Sequence, residues 1–148
     1  MTALTLARPD DLERLLPLVA ACHAETGIVQ DDSLRRAALV PVLEGNPHAA
    51  VYLIGPRRTP IGYVMLSFGW SLEFAGLDGT VDEIYIRPTV RRRGIGTEVM
   101  SALPRALAGA GLKALHLILR HDNHGARKLY ERLQFVARDD DIRMTLKL

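Results

Sequence analysis

Thr80-Val-Asp-Glu-Ile-Tyr-Ile-Arg-Pro-Thr-Val-Arg-Arg-Arg-Gly-Ile-Gly-Thr97 contains the change of periodicity on which the rest of the chain turns. Its first half, Val81 to Ile86, is rich in β-branched and aromatic residues and reads as a strand that Pro88 closes. Its second half is a short basic turn, Arg91, Arg92 and Arg93 followed by Gly94 and Gly96, and a helical pattern begins at once. A strand feeding a glycine turn and a helix N-terminus aims unpaired backbone N–H groups at one point. The orphan donors and the helix dipole both favour negative charge there. The guanidinium groups add donors suited to phosphate. A phosphate-bearing ligand is implied.

Two common glycine loops fail on residues. A Walker A loop needs a Gly-Lys-Ser/Thr ending, which the turn lacks. A dinucleotide fingerprint needs a third glycine, and Val99 holds that position. The bounds of the whole chain are those of an ordinary globular protein. At 148 residues, with 48% hydrophobic and 24% charged residues, it is expected to form a single domain, 1–148, with a full core. A net charge of +2 gives no footprint for a nucleic acid, and an aromatic platform beside the arginines is missing. The single cysteine, Cys22, excludes an internal disulfide framework and a multi-cysteine metal site, so no metal is expected. There is no apolar run near ~20 residues and no apolar leader, so no membrane partner is expected and a cytoplasmic location is.

Outward from the central stretch, the pattern predicts a strand over Ala3–Arg8 and a helix opened by Pro9 and Asp10. In that helix Asp10, Asp11 and Glu13 sit near the positive end and Leu12, Leu15, Leu16 and Val19 form the apolar face. Asp31 or Asp32 caps a second helix reaching to about Gly45. Interior prolines, Pro17, Pro41 and Pro104, are expected to bend or interrupt their helices. Strands follow over Ala49–Ile54 and Ile61–Phe68, then a loop or strand extension over Gly69–Gly79. After the helix that Gly109 and Gly111 end come a buried strand at Ala114–Leu119, a helix at Asn123–Leu133 and two last strands at Phe135–Arg138 and Ile142–Lys147. The fold class is α+β, layered α/β/α.

Arg91-x-x-Gly94-x-Gly96 after an apolar strand resembles motif A of the GCN5-related N-acetyltransferases, the GNAT family. Asn123-x-x-Ala126-x-x-Leu129-Tyr130-x-x-x-Gln134-Phe135 resembles that family's motif B, Asn-x-x-Ala-x-x-Leu-Tyr-x-x-x-Gly-Phe, with Gln134 in the place of the glycine. The two motifs stand in the family's order and spacing. The resemblance implies a GNAT fold: a mixed sheet of six to seven strands, about four helices, and strands 4 and 5 splayed apart.

It also implies acetyl-CoA as co-substrate and an N-acetyltransferase acting by direct attack of a primary amine. The pantetheine arm would pair with the backbone of Ile84, Tyr85 and Ile86, and the pyrophosphate would rest on Arg91, Arg92, Arg93, Gly94, Ile95, Gly96 and Thr97. Asn123, Ala126 and Tyr130 would meet the arm, and Tyr130 would protonate the leaving thiolate. The general base is Glu83 or Asp82. Trp70 and Phe74 precede strand 4, where substrate sites of the family form, and would wall that pocket, while Glu73 and Asp78 with Asp82 and Glu83 suggest an acidic rim for a cationic amine. His116, His121 and His124 lack the spacing of a metal site and read as strand and loop residues. The acceptor is a small-molecule amine or a lysine side chain, and a homodimer is allowed. The competing reading is a non-catalytic acyl-CoA-binding or regulatory domain.

Overall fold

The computed structural model describes residues 2–148, which form two compact units, 2–118 and Leu119–Leu148. The first unit holds β1 (Leu4–Leu6), α1 (Leu12–Thr26, entered through a 3-10 turn at Pro9–Asp11), α2 (Asp32–Leu43), β2 (Ala49–Ile54), β3 (Gly62–Ser71), β4 (Gly76–Ile86), α3 (Ile95–Gly109) and β5 (Ala114–Leu117). The second unit holds α4 (His124–Arg132).

The strands form one sheet in the order β1-β2-β3-β4-β5. The first four are antiparallel neighbours, and β5 returns parallel to β4 after the α3 crossover. Leu15, Leu16, Leu18, Val19 and Cys22 of α1 and Leu39 and Leu43 of α2 pack with Val51, Leu53, Tyr63 and Tyr85 of the strands in one buried cluster. Strand residues of the opposite parity, Ile54, Val64 and Leu66, and Val81, which pairs with Leu66, are buried outside that cluster, as are Val99, Met100, Leu103 and Leu107 of α3. That division is the one expected when a crossover helix covers the other face of a sheet.

Each of the three interior prolines stays inside one continuous helix, so none of them interrupts it. Burial of each helix face, worth about 25 cal/mol per Å² of apolar surface, outweighs one lost backbone bond. Asp31 is the α2 cap, accepting from the Leu34 N–H at 2.9 Å. The Gly69–Gly79 segment resolves into strand extension: β3 runs to Ser71, residues 72–75 turn, and β4 starts at Gly76.

The two strands expected at 135–138 and 142–147 do not form, and the sheet has five strands rather than six to seven. Val136, Ile142, Met144 and Leu146 are all exposed. Alternation gives a segment the propensity for a strand, but only a neighbouring edge can pair its N–H and C=O groups, and that is not written in the alternation.

Gly62 fixes how closely β3 approaches the end of β4. A Cβ at this position would lie 2.0 Å from the Tyr85 carbonyl oxygen, a backbone atom that cannot swing away. The close pairing of Gly62 with Ile86 therefore requires glycine.

Candidate active site

β5 pairs with β4 only from Asp78 to Val81, whereas β4 continues to Ile86. From Asp82 onward the β4 edge that β5 covered has no strand partner. Antiparallel strands alternate the direction of their polar groups, so about half of the N–H and C=O groups there face outward, able to pair with an extended ligand. Ile84, Tyr85 and Ile86 lie on this stretch. Tyr85 is also a core residue, with its ring centroid 6.3 Å from that of Tyr63.

The open edge leads into the glycine turn. Arg92 has φ 64° and Gly94 φ 78°, two left-handed residues that curl the backbone ahead of α3. Among the described residues the N–H groups of Arg92, Arg93, Gly94, Ile95, Gly96 and Thr97 make no bond to a protein acceptor, and the first bond of the helix is Glu98 N–H to the Gly94 carbonyl at 3.0 Å. They lie at the positive end of a fifteen-residue helix. Arg91 behaves differently from its neighbours. Its Nη2 donates to both carboxylate oxygens of Glu25 at 2.7 and 2.9 Å, its Nε donates to the Ile86 carbonyl at 2.7 Å, and its guanidinium stacks 5.4 Å from the Tyr85 ring centre. Arg91 thus ties α1 to the end of β4.

The two carboxylates named as candidate bases have different surroundings. The β3–β4 register slips between Met65 and Leu66, so that Met65 faces Glu83 while Leu66 faces Val81, with Asp82 the extra residue of a bulge. Glu83 therefore shares the side of Met65 and Tyr63, the side packed by α1. Its Oε1 accepts from the Tyr63 hydroxyl at 2.6 Å, and its Oε2 lies 2.8 Å from His23 Nε2. The Glu83 side chain is 23% exposed, enough to meet a ligand. Asp82 is exposed. Burial, helped by hydrogen bonds to Cys22 and Glu83, pushes the Tyr63 phenol far above its usual range, so it remains a donor at every working pH. Burial likewise raises the Cys22 thiol against the opposing Tyr63 hydrogen bond, which keeps it protonated and unreactive.

Asp78, expected on an acidic rim, lies 3.0 Å from His116 Nε2, and the His116 ring centroid is 5.7 Å from that of Phe74. Phe74 and Glu73 belong to the turn between β3 and β4, and Trp70, on β3 beside Leu77, is largely exposed. The structure thus draws Phe74 to the β4–β5 ladder and leaves Trp70 outward.

In the second unit Asn123 caps α4, its Oδ1 accepting from the Ala126 N–H at 3.2 Å. The cap uses the carbonyl oxygen and leaves the amide NH2 as a donor. Tyr130 is partly buried, and its ring meets Phe135 edge-on at 5.6 Å. Burial raises its phenol pKa. Among the described residues no group of three or more His, Cys, Asp or Glu side chains could hold a metal ion, and no helix is long and apolar enough to cross a membrane.

The sequence from residue 13 to residue 135 matches the acetyltransferase (GNAT) family. The chain belongs to the GNAT family. An acetyltransferase of Pectobacterium atrosepticum is 33% identical over 67 residues, a match that spans 43% of this chain and 48% of that protein, about half its length. Among solved structures, a possible acetyltransferase of Clostridium difficile 630 superposes with a TM-score of 0.85 at 16% identity, covering 100% of this chain and 99% of the other. An integron cassette protein from the mobile metagenome of Cole Harbour Salt Marsh gives 0.78 at 25% identity, with 98% and 88% covered. The ribosomal-protein-alanine N-acetyltransferase of Brucella melitensis biovar Abortus 2308 gives 0.74 at 19%, with both chains covered at 100%. At identities of 16–25% these likenesses speak for the fold.

GNAT membership makes the departure at Gln134 a quantitative matter. Gln134 adopts φ 74°, the left-handed conformation that the family's usual glycine supplies. It completes a Schellman end to α4, with Gln134 N–H donating to the Glu131 carbonyl at 3.0 Å and Phe135 N–H to the Tyr130 carbonyl at 2.9 Å. The family geometry is kept at the cost of strain. Gln134→Gly should therefore stabilise the protein by about 0.5–1 kcal/mol, read as a higher urea midpoint at an unchanged m value.

Sequence reading missed His23, Tyr63 and Arg35 as neighbours of the site. His23 left a signal: it follows Leu15 and Val19 at helical spacing on the buried face of α1, where a titratable ring needs polar partners. Tyr63 and Arg35 left none, because their relevance comes from strand register and helix packing.

Proposed function

We propose that this GNAT protein transfers an acetyl group from acetyl-CoA to a primary amine by direct attack. The observation that carries the proposal is the free β4 edge running into the unpaired N–H groups of residues 92–97. That arrangement fits a long ligand with an amide-bearing arm and a pyrophosphate. Acetyl-CoA would supply the acetyl group as an activated thioester. The chain's own groups would do the rest.

The β4 backbone at Ile84–Ile86 would hold the arm in extended register and turn one N–H toward the acetyl carbonyl, where charge develops. The turn amides with Arg92 and Arg93 would hold the phosphates. Glu83 would take the proton from the attacking amine, directly or through water, as the new N–C bond forms. Tyr130, kept protonated by its raised pKa, would give its proton to sulfur as the C–S bond breaks. Glu83 is preferred to Asp82 because it is partly shielded and oriented by two donors, whereas Asp82 is exposed. The acceptor class is a small amine or a lysine side chain.

Calorimetric titration with acetyl-CoA, followed by thiol detection against a panel of polyamines, amino-acid amides, aminoglycosides and lysine peptides, tests the reading. Saturable binding that weakens with salt, plus free CoA release with at least one amine, is the expected result. Absence of binding at physiological salt overturns it. Binding with no thiol release from any amine favours a non-catalytic acyl-CoA-binding domain.

A further inference from the structure

His23 joins three elements of the first unit. It sits in the last turns of α1, 6% exposed, with its two ring nitrogens facing different partners. Nδ1 is 3.2 Å from Arg35 Nε on α2, and Nε2 is 2.8 Å from Glu83 Oε2 on β4. Arg35 is itself held by Asp32 at 2.8 Å, and its side chain is 12% exposed.

The chemistry of the partners decides the protonation pattern. A guanidinium has N–H donors only and keeps its proton at every accessible pH. The imidazole nitrogen that faces it must therefore present a lone pair, which makes Nδ1 the acceptor. The hydrogen of the neutral ring is then on Nε2, aimed at the carboxylate. Arg35 thus selects the tautomer, and a second proton on Nδ1 would set a cation against the guanidinium. Glu83 receives Nε2–H on one oxygen and the Tyr63 hydroxyl on the other.

We infer that His23 is a positioning residue for the candidate base: locked by Arg35 as the Nε2–H tautomer, it holds Glu83 in one orientation toward the acceptor amine. This rests on the acetyltransfer reading given above. Each carboxylate oxygen keeps a second lone pair after accepting one hydrogen bond, so the held Glu83 can still take a proton. Without the His23 donor, Glu83 would pivot about Tyr63 alone. A shift of about 1 Å in a reacting group costs up to about 100-fold in rate.

The groups that face Glu83 define what a pH profile would report. His23 of α1 and Tyr63 of β3 touch it, Cys22 of α1 lies close enough to feel its charge, Arg35 with Asp32 of α2 stands behind His23, Asp82 and Tyr85 are its neighbours along β4, and Arg91 with Glu25 joins α1 to the Tyr85 ring. Removing a donor to the ionised carboxylate favours the protonated form. The acid limb of kcat/KM should then move to higher pH.

The test compares His23→Gln, whose amide can still donate to Glu83, with His23→Met, which fills similar space without a donor. Expected are a kcat about 10- to 100-fold lower for the methionine variant, its acid limb shifted upward, and a KM for acetyl-CoA within about twofold of wild type. The glutamine variant should recover most of kcat. Equal losses in both variants, or a methionine variant with wild-type kcat and pH profile, overturn the inference.

Imidazole nitrogen NMR of the wild-type protein gives an arm independent of turnover. The Nε2–H tautomer at neutral pH, lost on Arg35→Met, is expected, whereas an Nδ1–H tautomer or an imidazolium refutes the lock. Absence of acetyl transfer by the wild-type protein would sink the functional reading, and the NMR arm would still report on the lock.

Discussion

Replacing Glu83 by glutamine should lower kcat/KM for the best amine by about 100- to 1,000-fold while leaving the KM for acetyl-CoA nearly unchanged. Glutamine keeps the length and planarity of the side chain, so packing against Tyr63 and His23 survives and the loss reads as lost proton acceptance. Its amide also presents N–H to a site where both neighbours donate, which adds a misorientation that glutamate does not suffer. Asp82→Asn is the matched control and should change kcat/KM by no more than about threefold, the effect of one exposed charge on a cationic substrate. Steady-state rates of both variants across pH decide the matter. In Glu83→Gln the part of the acid limb that belongs to the base should vanish, leaving only ionisation of the amine. A larger loss from Asp82→Asn than from Glu83→Gln would hand the base role to Asp82.

Asp11→Ala should cost about 3 kcal/mol of stability, equivalent to a fall of roughly 6–12 °C in Tm for a chain of this size. Asp11 is fully buried at the entry to α1. Its Oδ1 accepts from Arg14 at 2.7 Å and from Arg57 Nε at 3.1 Å, and its Oδ2 accepts from the Arg8 N–H at 2.8 Å and from Arg57 Nη2 at 2.9 Å. This one carboxylate pins the start of α1 to the turn between β2 and β3. Removing it leaves two guanidinium groups uncompensated. They are 39% and 35% exposed, so water recovers part of the loss, and the lower end of the usual range for a broken buried pair applies.

Burial alone would push the Asp11 pKa up, but the backbone N–H of Arg8 and the two arginines outweigh it, and the folded-state value lies below the ordinary one. The unfolded chain, with a pKa of about 3.9, binds the proton first as pH falls. Asp11 ionisation therefore contributes its full share of stability above about pH 4–5, and that share is lost as pH drops through the folded value. Urea unfolding of wild type and Asp11→Asn at neutral pH and near pH 3 should show the gap between them narrowing in acid. A gap that does not depend on pH would mean the carboxylate charge adds nothing.

Asp11 also shows where sequence reasoning stops. Its place in the first turn of a helix suggested a favourable charge near a helix dipole, worth a few tenths of a kcal/mol on a surface. The larger role comes from Arg57, 46 residues away, which no local pattern connects to it. Gln134 is the opposite case. The motif places it where the family has glycine, which put the turn geometry in question, and the backbone keeps the left-handed turn all the same. Between them stand residues 142–147, whose alternation promised a strand that the chain does not pair.

From its residues alone, the chain was readable as α+β, with the strand–glycine turn–helix of residues 80–97 and the helix that starts at Asn123 in their places. Those features are local: side-chain periodicity, φ preference and caps act over one to four residues, and the two motifs carried the GNAT resemblance through them. The choice between Asp82 and Glu83 as the shielded carboxylate is not local. It follows from a bulge against Met65 and Leu66, and the two donors that orient Glu83 come from 20 and 60 residues away. Strand register and helix packing are set by summed contacts across the whole sheet, so which side chains share one carboxylate was decided only when the chain closed on itself.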